Sequence, residues 1–103
     1  MAQFDVHRLR QPQDPRLAFL LDIQNDLHDG LETRVMLPLV RTDLVPPPIR
    51  RLNPRFDIAG ESVILLTQDI ASVPRQEIGP AIASLKAERD AILGALDLLI
   101  IGY

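Results

Sequence analysis

Apolar residues recur at helical spacing in only one part of the chain, residues 85–103. At about 100° per residue, Leu85, Ile92, Leu93, Leu96, Leu99 and Ile100 gather on one side, the pattern of a helix laid on a core. The same wheel puts Ile101 roughly opposite, in line with Asp90, Gly94 and Asp97. A large aliphatic on the solvent side of a helix has no folding reason to be there. Ile101, with Gly102 and Tyr103 beyond it, therefore marks the tip of this helix as a candidate contact surface.

Upstream the period drops to two. Phe4, Val6 and Arg8 alternate with Asp5, His7 and Leu9, which predicts a first strand with one polar face. Residues 17–23 are apolar on both alternating faces and predict a central strand buried on each side. Residues 33–40 are again strand-like, and Pro38 places an edge or a bulge near the end of that strand. Residues 11–15, with two prolines, form a loop, and residues 24–30 carry turn chemistry. From 41 to 54 the alternation dissolves, and the prolines at 46–48 predict a long surface loop. Residues 56–58 and 62–68 resume as strands joined at Gly60 and Glu61, and residues 69–74 continue extended through a bulge. Gly79 and Pro80 then lead toward the helix. Short strands and one terminal helix predict a mainly β fold: a small barrel or strongly bent antiparallel sheet with the C-terminal helix packed on it. A chain of 103 residues is expected to be one domain, spanning 1–103.

Composition narrows the chemistry. Aromatics make up only 4% of the chain, so the core must rest on Leu, Ile and Val. A net charge of −3 argues against a general nucleic-acid binder, which carries a basic excess. With no cysteine, disulfides and zinc-thiolate sites are excluded. The first residues show no apolar run, so no signal peptide is expected, and no apolar run approaches the roughly 20 residues that span a bilayer. A cytoplasmic protein is the default expectation.

Residues 67–79, which include Asp69, Ile70, Ala71, Ser72, Val73 and Pro74 in unbroken order, are more particular than a generic strand. Together with Gln3, Phe4 and Val6, residues 22–26, Pro38 and Leu39, residues 52–54, residues 60–62 and the penultimate Gly102, they make the chain resemble the CcdB family. Those proteins are toxins of type II toxin–antitoxin pairs. The resemblance covers nearly the whole length, from Gln3 to Tyr103, and is weakest in the proline loop. It implies an SH3-like barrel with a C-terminal helix, shared in fold with MazF-type toxins, and a homodimer. It also implies a CcdA-like antitoxin whose flexible segment wraps the toxin, and the DNA gyrase A subunit as target, bound by the end of the terminal helix.

The family's poisoning determinant is a Trp-Gly-Ile tail, preceded on the same helix face by polar contact residues. Carried over, the Trp position falls on Ile101, the Gly on Gly102 and the last residue on Tyr103, with the earlier contacts on Gly94 and Asp97. The wheel had already set Gly94, Asp97 and Ile101 on its outward stripe. The chain departs from the family at the key position. An aromatic there would stack on a basic side chain, and Ile101 cannot. Asp97 also brings a negative charge where the family has an amide.

Other constellations read more plainly. Asp26, His28 and Asp29 hold metal-ligand and acid–base residue types, but no strand or helix spacing converges them, so they read as a polar hairpin turn. The matching turn in the family lies near the target-binding end, which makes Leu27 and His28 further candidate contacts. Arg50, Arg51 and Arg55 suit phosphate but read as a solvated loop. No nucleophile with a base and an orienting group is evident, so neither a catalytic site nor a cofactor nor a metal is expected, and no membrane or direct sequence-specific nucleic-acid contact either. For Ile101 and Tyr103 two readings stand: a partner-facing tip, or a tail folded back or covered in a symmetric dimer. For function, the alternatives to a gyrase-binding toxin are a degenerate member that no longer poisons gyrase, or a MazF-like mRNA endoribonuclease on the same barrel.

Overall fold

In the computed structural model, which describes residues 1–45 and 47–103, seven strands share one curled antiparallel sheet. They are β1 (Asp5–Leu9), β2 (Leu17–Asp22), β3 (Thr33–Arg41), β4 (Arg55–Ile58), β5 (Glu61–Leu65), β6 (Ala71–Pro74) and β7 (Ile78–Ser84). Their order is β4-β5-β3-β2-β1-β7, and β6 pairs with β3 beside β5. The helix α1 (Arg89–Ile100) follows a 3-10 turn over Lys86–Glu88. The architecture is thus mainly β, a half-barrel with one C-terminal helix, as the periodicity predicts. Of the expected proline loop, Pro46 lies outside the described residues.

The strand β2 lies between β1 and β3 and is buried on both faces, as its continuous apolar run requires. Phe19 and Leu21 join the larger core, with Phe4, Val6, Leu37, Leu39, Phe56, Val63, Leu65, Leu85 and Ile92. Leu20 points the other way, into a smaller cluster with Met36 and Ile78. Asn53, itself buried, sews the end of the long loop to β5: its Nδ2 donates to the Leu65 carbonyl at 3.0 Å and its Oδ1 accepts from the Ile49 amide.

Three expectations are corrected. First, of the edge or bulge expected near the end of β3, the edge fails, since β3 is a central strand. A register shift does occur there, where Leu17 and Phe19 of β2 face Val40 and Leu39. Met36 is the last β3 residue paired with β6 and Leu39 the first paired with β5, so Pro38 stands where one neighbour gives way to the other. Its carbonyl accepts from the Leu66 amide at that junction, so the donor proline lacks would point into a gap in the ladder.

Second, residues 78–84 are strand β7, paired with β1, where the sequence suggested only an approach to the helix. Proline is tolerated because β7 is the outermost strand. Gly79 is required because a Cβ there would lie 2.5 Å from the Arg8 carbonyl oxygen. Third, the predicted polar face of β1 fails at His7, which is 3% exposed. Its Nδ1–H donates to the Gly79 carbonyl at 3.0 Å, so β7 covers it.

Candidate partner-binding site

The helix α1 sits with Ile92 and Ala95 buried, while Leu93, Leu96, Leu98 and Leu99 are partly covered. Leu85, ahead of the helix, is buried as expected. Ile100 is not: assigned to the core side by the wheel, it is 73% exposed. Leu98 and Leu99 of the same last turn are partly covered, so cover is lost at Ile100 itself although the period continues through it. Beyond Ile100, Ile101 is 59% and Tyr103 81% exposed. The tail is not covered by the described residues of its own chain, and three large apolar side chains near the C-terminus are exposed.

Backbone geometry fixes how that tip is presented. The Ile101 and Gly102 amides both donate to the Asp97 carbonyl, at 2.8 and 3.1 Å. Gly102 then takes φ +99°, a left-handed value that a side chain would strain. That turn directs Tyr103 off the helix axis. One turn earlier Asp97 is exposed, and the outer side of Gly94 is open, with nothing within 4 Å of where a Cβ would sit. The outward stripe of Gly94, Asp97 and Ile101 therefore exists as the wheel drew it.

The other candidates, Leu27 and His28, lie in a 3-10 turn over Asp26–His28 between β2 and β3. Leu27 is 84% exposed, the barest large apolar side chain among the described residues. His28 is exposed too. The turn begins with Asn25, whose Oδ1 accepts from the Leu27 amide at 2.9 Å. Among the described residues, no hydrogen bond or ion pair joins this turn to the helix tip. What links them is the core: Ile23, just before the turn, packs on the same cluster as Leu93 and Leu96.

The sequence did not reveal what holds that turn. Arg34, on β3, is fully buried and forms an ion pair with the fully buried Asp22 at 2.7 Å. Its remaining N–H groups reach Asp29 Oδ1 at 3.1 Å and the Gln24 carbonyl at 3.2 Å. Arg75, in the 3-10 turn after β6, meets the same Asp29 oxygen at 2.7 Å and also donates to the Asp29 and Leu31 carbonyls. Burial pushes the Asp22 carboxyl above the ordinary carboxylate range, and hydrogen bonds from Arg34 and the Gln24 amide pull it part of the way back. Asp29 shifts the opposite way, held low chiefly by its hydrogen bond from Arg75. Asp26 and Asp29 are thus anchors of a polar turn, as read from sequence, and no group of metal-ligating residues occurs among the described residues. The missed signal was an Asp closing the apolar run of β2 and an Arg just ahead of the apolar run of β3.

A curled, mainly β sheet with a C-terminal helix packed on it is what the sequence resemblance implied. The family model described as CcdB protein matches residues 3–102. The chain belongs to the CcdB family. It is therefore, by family, a toxin of the toxin–antitoxin kind, from a family whose toxins act by binding a protein, and its half-barrel with a terminal helix is the CcdB fold. No helix among the described residues is long and apolar enough to cross a membrane.

Proposed function

We propose that this CcdB-family toxin binds the DNA gyrase A subunit through the end of α1, using Ile101, Gly102 and Tyr103 with Asp97 and Gly94, and that Leu27 and His28 of the β2–β3 turn contribute further contacts. The observation that carries this reading is the bare tip: Ile100, Ile101 and Tyr103 expose apolar surface that the described residues leave uncovered. The protein acts as a cytoplasmic homodimer, two tips lying near one two-fold axis, and a CcdA-like antitoxin neutralises it. Without the family's Trp at position 101, the contact rests on aliphatic packing by Ile101 and on the Tyr103 ring, not on stacking at the helix end.

The test is a DNA-cleavage assay with purified protein, gyrase, plasmid and ATP. Linear DNA that accumulates once gyrase is denatured supports the reading. No cleavage and no binding to gyrase A, from protein shown to be folded, overturns it in favour of a member that no longer poisons gyrase.

A further inference from the structure

The ion pair between Arg34 and Asp22 asks for an explanation that stability does not supply. Taking two charges fully out of water costs several kcal/mol per ion, and well-packed apolar residues of similar volume often serve as well. One role that a buried pair can serve is to fix a single arrangement. Here the arrangement is that of residues 24–31, which carry Leu27 and His28.

The contacts converge on that segment from every side. Both Asp22 oxygens are used: Oδ2 takes Arg34, and Oδ1 takes the Gln24 amide at 3.0 Å. Arg34 holds the Gln24 carbonyl and the Asp29 carboxylate, bracketing the segment at two points five residues apart. The Gln24 side chain spans the interior of the turn, donating to the His28 carbonyl at 2.9 Å and accepting from the Val35 amide of β3 at 3.0 Å. Asp26 accepts from the Gln3 amide at 2.7 Å, which ties the outer side to the start of the chain. No apolar side chain of the 3-10 turn is buried, so packing cannot hold it.

We infer that Arg34, with Asp22, Gln24 and Asp29 around it, is a positioning residue: it holds the turn of residues 24–31 in the one conformation that presents Leu27 and His28 to the protein partner. This rests on the proposed gyrase contact and adds to it a residue that no partner can touch, since the Arg34 side chain is 0% exposed. Any loss of affinity on changing Arg34 must therefore act through the turn. Preorganisation is the physical gain: a turn already ordered loses less freedom on binding.

The experiment compares the wild type with Arg34→Lys, which keeps a charge opposite Asp22 but loses the fork that reaches Asp29 and Gln24. Amide hydrogen exchange and affinity for purified gyrase A are read together. Arg34→Lys is expected to speed exchange of the Leu27, His28, Asp29 and Leu31 amides at least about tenfold, leave the β2 and β3 amides protected, and weaken gyrase A binding about tenfold. Should Arg34→Lys not fold, Asp29→Ala, at a half-exposed side chain, takes its place. Asp29→Asn, which keeps an acceptor for both arginines, is expected to restore part of the protection. Deleting residues 101–103 weakens binding without moving the exchange of the turn.

Unchanged exchange in the turn, or unchanged affinity from a turn that has been freed, overturns the inference. A wild type that does not bind gyrase A while exchange in the variants responds as expected overturns the proposed target and, with it, the partner half of this inference. The ordering role of Arg34 then stands on exchange alone.

Discussion

Ile101 and Asp29 show how differently single residues of this chain respond to substitution. Ile101 is exposed and makes no core contact, so Ile101→Ala should change the unfolding free energy by no more than about 0.5 kcal/mol. Its affinity for gyrase A should fall about tenfold. Ile101→Trp restores the stacking surface and should strengthen binding. A titration that finds all three proteins equal would move the contact elsewhere. Asp29 governs acid stability instead. Its carboxyl is held below the ordinary value of 3.8, so its contribution is complete above that pH and is lost as pH falls through the folded-state value. Asp22 has the opposite sign: its raised carboxyl favours folding more as pH drops. In urea titrations between pH 5 and 2.5, Asp29→Asn should therefore lose less of its midpoint than the wild type does. Of these residues the sequence marked Ile101 by its place on the wheel. It could not mark the Asp29 contacts, because Arg75 comes from a turn far along the chain, and Arg34, though only five residues on, turns inward for a reason set by the buried Asp22.

Among the elements, α1 and β7 carry the clearest consequences. The helix is fixed to the sheet chiefly through Ile92 and Ala95, its two buried residues, so Ile92→Ala should cost about 2–5 kcal/mol in urea unfolding. That loss should act on the whole fold and not on the tip alone, which separates it from Ile101→Ala. Strand β7 depends on close approach to β1. Gly79→Ala sets a methyl 2.5 Å from the Arg8 carbonyl and should destabilise by about 1–3 kcal/mol, read as a lowered urea midpoint. The helix, β2 and the β4–β5 hairpin were legible because a helical period, an unbroken apolar run and a Gly60 turn each lie within their own residues; β1 was placed, but its polar face was not. The strand β7 was not, since Gly79 and Pro80 read locally as a break. What makes them strand residues is β1, which supplies the hydrogen bonds and leaves Pro80 on the outside. Pro38 misled for the same reason, as its tolerance depends on where β6 stops and β5 begins.

For the whole molecule, the unexplained surface lies at one end of the helix. Apolar side chains at Ile100, Ile101 and Tyr103 would be covered in a two-fold dimer or by a partner. In sedimentation at micromolar concentration the wild type should run at twice the chain mass of 11.5 kDa, and deletion of residues 101–103 tells which role the tip has. A deletion that stays dimeric but fails to bind gyrase A gives the tip to the partner; a monomeric one gives it to the dimer.

The amino-acid sequence by itself determined the class of fold, the burial of β2, the terminal helix and the outward stripe of Gly94, Asp97 and Ile101. Each of these follows from the local pattern of apolar and polar positions, whether a period or an unbroken run. Tertiary structure alone decided that Ile100 lies bare, that His7 is covered, that residues 78–84 pair with β1, and that Arg34 holds the turn bearing Leu27 and His28. Those outcomes depend on which residues cover one another and on which charges meet across the sheet, and no window of neighbouring residues contains that information.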